Sequence, residues 1–267
     1  MTVWCNGSFV EHLKLDVAER GLMLGEGIFE TIAVRQGKSV WLDEHLTRLQ
    51  SAARELGLKH DITQIRAALA VVLALSLAPS EVLRITLTRG PTQRGFAAEG
   101  EQPSLIISLN PFDLSKLPQS VRLATSAIRR NASSPASRLK TLSYIDGIAA
   151  TREVAAHADD ALMLNTNGNV ASTPIANVFL LKDKKLITPS NDQAILKGIA
   201  RGKLINGAAQ LGLQIETRPV KPDELRTADA VFLTNSLRLS TAVSTIDGTP
   251  CGSRDISFIS AFLSTAP

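Results

Sequence analysis

The chain has 267 residues, 44% of them hydrophobic, enough for a sizeable core in one large domain or two smaller ones. Its net charge is +4, but the basic residues are scattered and aromatics make up only 4%, which excludes a basic and aromatic stripe for nucleic acid. No apolar stretch reaches the roughly 20 residues of a membrane helix; the best candidate, 65–77, is too short and carries Arg66.

The opening, Val3-Trp-Cys-Asn-Gly-Ser-Phe-Val10, has a short apolar run on each side of Asn6-Gly7 and predicts a β-hairpin, because both turn residues tolerate positive φ. It has no basic segment leading into an apolar one, so the expectation is a folded domain in the cytoplasm. Gly27-Ile-Phe-Glu-Thr-Ile-Ala-Val-Arg35 alternates apolar and polar residues, and Gln36-Gly37-Lys38 then Val40-Trp41-Leu42 complete a second hairpin. Asp43 is placed to cap a helix over about 44–56 with Leu46, Leu49 and Ala53 on one face, and Asp61 opens another to about 75. Strands follow at 82–88 and 104–109.

Asn110-Pro-Phe-Asp-Leu-Ser-Lys-Leu-Pro118 combines two prolines with polar residues and disfavours regular structure. The domain boundary falls there, giving a smaller N-terminal α/β domain at 1–112, a linker at 113–119 and a larger domain at 120–267. The second domain reads as a strand at 121–127, a helix at about 144–158, and short β segments at 161–164, 177–181 and 185–187, with Asn165-Thr-Asn-Gly168 as a turn. A helix over about 194–211 ends at Gly212, strands follow at 214–217 and 230–233, and Asp247-Gly248 turns a final hairpin before a C-terminal helix. No internal repeat is visible, and the pattern is α+β more than doubly wound.

Cys5 and Cys251 are far apart and read as ordinary reduced thiols. His12, His45, His60 and His157 are isolated, and no paired metal-ligand spacing occurs, so no metal site is expected. Gly198-Ile-Ala-Arg-Gly-Lys203 resembles a phosphate loop only superficially, with three residues between its glycines and no Ser or Thr after Lys203. Gly198 and Ile199 nonetheless lie near a helix start, where free amides and the helix dipole favour a phosphate. In Arg138-Leu-Lys-Thr-Leu-Ser-Tyr144 stands the only tyrosine of the chain, against eight phenylalanines, so its hydroxyl is a candidate for use. Spacing alone leaves Lys140 readable as a solvated lysine and Tyr144 as a helix residue.

These segments, taken in order, resemble the class IV (fold-type IV) pyridoxal 5'-phosphate (PLP) enzymes, which include branched-chain and D-amino acid aminotransferases and 4-amino-4-deoxychorismate lyase. The resemblance runs through Arg20-Gly-Leu-Met-Leu-Gly-Glu-Gly-Ile-Phe-Glu30, His45-Leu-Thr-Arg-Leu49, Lys140-Thr-Leu-Ser-Tyr144, Asp159-Asp-Ala-Leu-Met-Leu-Asn165, Asn177-Val-Phe179, Thr188-Pro189, Leu196-Lys-Gly-Ile-Ala-Arg201 and Phe232-Leu-Thr-Asn-Ser-Leu237. It implies a two-domain α+β fold, a homodimer, PLP held on Lys140 as a Schiff base, and Lys140 as the group that then moves the substrate proton.

The same resemblance makes Arg48 the phosphate-binding arginine, whose other reading is an exposed helix residue paired with Glu44. Gly198, Ile199 and Ala200 supply the helix-start amides and Ser236 a hydroxyl, with Ala200 standing where a threonine is frequent. Tyr144 reaches the cofactor's ring oxygen, and Asn177 supports the local geometry or simply caps a strand end. Phe29, Arg94, Phe96 and Arg138 fall on the substrate side, with Arg94 otherwise an exposed loop arginine. The departure is Ser172, which stands five residues before Asn177, where the family carries a glutamate facing the pyridine nitrogen. A hydroxyl cannot supply that negative charge. The implied activity is amino group transfer between an amino acid and a 2-oxo acid. One alternative is aminodeoxychorismate lyase, releasing pyruvate and 4-aminobenzoate; another is a catalytically impaired PLP-binding homologue.

Overall fold

A computed structural model describes residues 2–97, 100 and 102–265. Its contacts divide the chain into two units, Met1–Lys116 with Lys140–Ser143, and Leu117–Leu139 with Tyr144–Pro267.

The first unit opens with β1 (Thr2–Cys5) and β2 (Ser8–Phe9), turned by Asn6 and Gly7 at φ 44° and 107°. After α1 (Arg20–Met23) come β3 (Gly27–Arg35) and β4 (Lys38–Ser39), turned by Gln36 and Gly37, also at positive φ. The strand expected at Val40-Trp41-Leu42 is absent. Trp41 instead takes a left-handed φ of 55° and is the N-cap of α2 (Leu42–Glu55), its carbonyl accepting from the His45 amide at 3.1 Å. Asp43 therefore lies inside the first turn, where its charge favours the helix dipole, rather than at the cap. Asp61 does cap α3 (Ile62–Leu73), accepting from the Thr63 amide at 2.8 Å. β5 (Ser80–Thr88) and β6 (Leu105–Pro111) complete an antiparallel sheet in the order β2-β1-β6-β5-β3-β4.

β5 buries Leu83, Ile85 and Leu87 in alternation, as a half-covered strand should. β3 is different: it buries seven of its nine residues, and Glu30 is among them, while Thr31 and Arg35 are only half-buried. The segment 140–143 runs along β3: the Phe29 amide donates to the Lys140 carbonyl at 2.9 Å, the Leu142 amide donates to the Gly27 carbonyl at 2.9 Å, and Thr141 bridges Ile28. A Cβ on Gly27 would come within 2.7 Å of Leu142 Cδ1 and 2.9 Å of the Leu87 carbonyl oxygen, so this close approach needs the glycine. These contacts put Lys140 with the first unit, although it lies within the expected 120–267 domain.

The second unit contains β7 (Ser120–Arg130), α4 (Pro135–Arg138), α5 (Ile145–Val154), β8 (Asp160–Asn165), β9 (Val170–Ser172), β10 (Asn177–Lys182) and β11 (Lys185–Pro189). Then follow α6 (Ile199–Gly207), β12 (Gln214–Arg218), α7 (Pro222–Arg226), β13 (Ala230–Asn235), β14 (Leu239–Ile246), β15 (Thr249–Pro250) and α8 (Ser257–Thr265). The sheet order is β12-β11-β10-β13-β14-β7-β8-β9, and β9 also pairs with β10, so six strands from β10 round to β9 close on themselves. Leu123, Leu162, Val178, Leu180, Val231 and Leu233 form part of the core that this closure encloses.

Two helices are shorter than expected. Ala194 has φ 62°, so 194–198 is not helical, and α6 begins only after Gly198; a 3-10 turn, Ala208–Leu211, then leads to Gly212 at φ 67°. Tyr144 is the N-cap of α5, which ends at Val154. No helix among the described residues is long and apolar enough to cross a membrane.

Candidate active site

Lys140, Phe29 and Arg48 come together in the first unit. Lys140 Nζ lies 4.3 Å from the centroid of the buried Phe29 ring, within cation–π range, and the Arg84 guanidinium carbon lies 3.8 Å from the same centroid. Burial pulls the Lys140 amine down to about 8 from an ordinary 10.5; the Arg48 charge pushes the same way, Glu30 opposes, and Arg84 adds to the lowering. An amine so placed exchanges its proton near neutral pH, as a nucleophile or proton carrier must.

Arg48 is gripped by Glu30 rather than standing as an exposed helix arginine. Its Nε donates to Glu30 Oε1 at 2.8 Å and its Nη2 to Oε2 at 2.6 Å, a two-point fork. His45 Nδ1 meets Glu30 Oε2 at 2.7 Å. Burial works to raise the Glu30 carboxyl, yet the Arg48 charge and the hydrogen bonds from Arg48 and His45 outweigh it and hold the group at about 2. Burial also pushes His45 below its ordinary value, so its ring is neutral.

Sequence reasoning gave no role to Glu30, His45 or Arg84. A signal was present: His45 and Arg48 are three residues apart on one face of α2, beside the buried Leu49, and a glutamate in the middle of an apolar strand calls for a cationic partner.

The second unit supplies a helix start and several neutral side chains. Gly198 is the N-cap of α6, and no side-chain hydrogen bond caps this end, so the amides of Ile199 and Ala200 begin a helix whose first turn has no internal partner for them. Asn177 Nδ2 donates to the Leu196 carbonyl at 2.9 Å, and a Cβ on Gly198 would lie 2.1 Å from Asn177 Oδ1. Asn177 thus shapes the turn that delivers the helix start. It pairs across the ladder with Ser172, a buried residue with 5% exposure. Ser236 follows β13 in a turn organised by Asn235 Oδ1, which accepts from the Leu237 and Arg238 amides at 3.1 and 2.8 Å. Tyr144 lies within electrostatic reach of Arg130, and half-buried Arg138 ends α4.

Arg94 and Phe96 stand on an exposed loop after β5, Phe96 at 91% exposure. That loop is pinned by the buried Arg20, which donates to the Gly95 carbonyl at 2.7 Å and the Phe96 carbonyl at 3.3 Å, while its Nε pairs with Glu26.

The family description amino-transferase class IV matches residues 27–246, a span that includes Glu30, Arg48, Lys140, Asn177 and the α6 start. The chain belongs to the class IV aminotransferases. With that family comes its enzyme class, which takes in aminotransferases and aminodeoxychorismate lyases dependent on pyridoxal 5'-phosphate. This class IV chain is 30% identical over 244 residues to an aminodeoxychorismate lyase of Bacillus subtilis, covering 88% of this chain and 83% of that one. It is 28% identical over 261 residues to a D-alanine aminotransferase of Bacillus licheniformis, covering 95% and 91%. A solved branched-chain aminotransferase from Thermoproteus uzoniensis superposes with a TM-score of 0.89 at 27% identity, over 100% of this chain and 93% of that one.

Proposed function

We propose that this class IV enzyme transfers an amino group between an amino acid and a 2-oxo acid, with Lys140 carrying the cofactor and moving the proton at the substrate Cα. The observation that carries this reading is the Lys140 amine itself, held over Phe29 beside Arg48 and pulled down to about 8. When bound, PLP supplies the electron-withdrawing ring that makes the Cα proton removable. The residues present fit such an anionic group: Lys140 and Arg84 sit over Phe29, Arg48 lies within electrostatic reach of Lys140, and an end of α6 without a side-chain cap suits a phosphate.

The family resemblance assigns the phosphate to Arg48 in the first unit, and to the Ile199 and Ala200 amides, the Gly198 turn and the Ser236 hydroxyl in the second. Tyr144 donates to the ring oxygen, Asn177 holds the Leu196 turn, and Ser172 faces the ring nitrogen. Phe29, Arg94, Phe96 and Arg138 are assigned to the substrate, with Arg94 and Phe96 serving a partner copy in a cytoplasmic homodimer. Exposed Val17, Leu22, Met23 and Phe96 support that assembly, because apolar side chains left in water favour burial against a second copy.

A second reading, aminodeoxychorismate lyase, is favoured by the similarity to the Bacillus subtilis enzyme. A third, impaired catalysis, is favoured by the neutral Ser172 at a buried position where a carboxylate would keep the ring nitrogen protonated.

Purified protein mixed with PLP is expected to show a visible absorbance band that Lys140→Ala abolishes; an unchanged band in the variant overturns the role of Lys140. An amino donor given alone should convert the cofactor to its pyridoxamine form if the enzyme transfers amino groups. Release of pyruvate and 4-aminobenzoate from aminodeoxychorismate identifies the lyase instead, and a bound cofactor inert to both identifies the impaired homologue.

A further inference from the structure

Glu30 has no part in the chemistry above, yet it is 1% exposed and ionised. Sealing a carboxylate away from water is costly unless donors replace the lost hydration, and an apolar residue would fill the same strand position at no such cost. The donors are Arg48 Nε and Nη2 and His45 Nδ1, at 2.8, 2.6 and 2.7 Å.

His45 is itself fully buried, and its ring is neutral, so it has one proton to give. A carboxylate only accepts, so that proton sits on Nδ1 and points at Glu30. The other ring nitrogen, Nε2, is buried with no hydrogen-bond partner. Among the described residues, the imidazole is oriented by its hydrogen bond to Glu30, and in return it seats the Glu30 oxygen that Arg48 Nη2 also uses.

We propose that Glu30, seated by His45, is a positioning residue of the lysine site: it fixes the Arg48 guanidinium in one orientation and places one buried negative charge beside the Arg48 and Lys140 cations. This rests on the reading of Lys140 and Arg48 as the cofactor-holding pair. A guanidinium bound at two nitrogens to one carboxylate cannot swing, so its orientation is set before any ligand arrives. Among the charged groups acting on Lys140 are Arg48, Glu30 and Arg84, and His45 lies within electrostatic reach of the amine. Of these, only Glu30 opposes the cations.

The test follows the protonation of Lys140 in the full chain without cofactor, by labelling its amine with an acylating reagent across pH and mapping the modified peptide. In Glu30→Gln, which keeps the side-chain volume, the midpoint should fall by about one pH unit. In Arg48→Met it should rise. PLP affinity, read by absorbance titration, should weaken roughly tenfold in Glu30→Gln as the Arg48 fork loosens. A folded Glu30→Gln protein with an unmoved midpoint overturns the proposal, as does a shift of the same sign in both variants. Should Glu30→Gln fail to fold, Glu30→Asp decides, since it withdraws the charge by one methylene and must also lower the midpoint. If the wild-type chain binds no PLP, the cofactor reading falls, while the Lys140 midpoint still decides the role of Glu30.

Discussion

A half-buried arginine, Arg48, and a buried one, Arg201, show how differently the two units treat the same side chain. Arg48 on α2 is forked onto an ionised carboxylate. Arg201 on α6 is 5% exposed, and the acceptors around it are neutral: Thr188 Oγ1 at 3.3 Å, Asn191 Oδ1 at 3.2 Å and the Pro189 carbonyl at 2.8 Å. Burial pulls Arg201 down to about 10, whereas the Glu30 fork keeps Arg48 in a paired, charge-matched setting. The contrast teaches that the first unit places ionised partners where a charge has to be aimed, while the second uses an arginine as a polar strut between the end of β11 and the start of α6.

The largest expected effect comes from breaking the first arrangement. Glu30→Ala leaves the Arg48 cation, with its side chain only 16% exposed, without its carboxylate, and should cost about 3–5 kcal/mol in chemical denaturation. Arg201→Met removes a charge that has no counter-ion among the described residues and should change stability by no more than about 1 kcal/mol. Equal losses in the two variants would erase the distinction. The Glu30 contribution also has a pH signature. Its folded value of about 2 lies below its ordinary 4.5, so the stabilisation is fully present above 4.5 and is lost as pH falls through about 2. The gap between wild type and Glu30→Ala should therefore close in acid.

Lys140 works against folding at neutral pH, where Glu30 works for it. Its folded value, about 8, lies below the ordinary 10.5, so between these limits the unfolded chain binds the proton more tightly and stability rises with pH. Lys140→Met should be about 1–3 kcal/mol more stable than wild type at pH 7, with the difference shrinking as pH rises from about 8 towards 10.5. A Lys140→Met protein no more stable than wild type at neutral pH would mean that the amine is not held at a cost.

The smallest effect sharpens the neutral half of the comparison. Gly198 has an ordinary φ of −66°, so what forbids a side chain there is space beside Asn177 rather than backbone conformation. Gly198→Ala should cost about 1–2 kcal/mol by displacing the Asn177 amide from the Leu196 carbonyl. Combined with Asn177→Ala, the loss should be less than additive, because the smaller residue vacates the contested space. Strict additivity in thermal melts would remove Asn177 as the shaper of the helix start.

Short-range features were legible in the sequence. Asn6-Gly7, Gln36-Gly37 and Asp247-Gly248 all take the positive φ that their hairpins require, and Asp61 caps its helix, since each depends on the preferences of a few adjacent residues. Trp41 as a left-handed N-cap was not legible, because an aromatic residue has no intrinsic preference for that conformation and adopts it only under tertiary constraint. The same holds for Ala194, whose positive φ shortens the helix expected from 194. In the candidate site, the ordered motifs marked Lys140 and Arg48, but the Glu30 and His45 side chains that surround Arg48 read as an ordinary strand residue and an isolated histidine.

The sequence by itself determined the turns, the apolar faces and the family, because each is written in residues close together or in a fixed order along the chain. Only the tertiary structure decided that residues 140–143 run beside β3, that Glu30 is buried between His45 and Arg48, and that Lys140 is the amine they act upon. Those outcomes depend on burial and on charges brought together from three separate stretches of chain, and the strength of each interaction is set by water that the fold excludes.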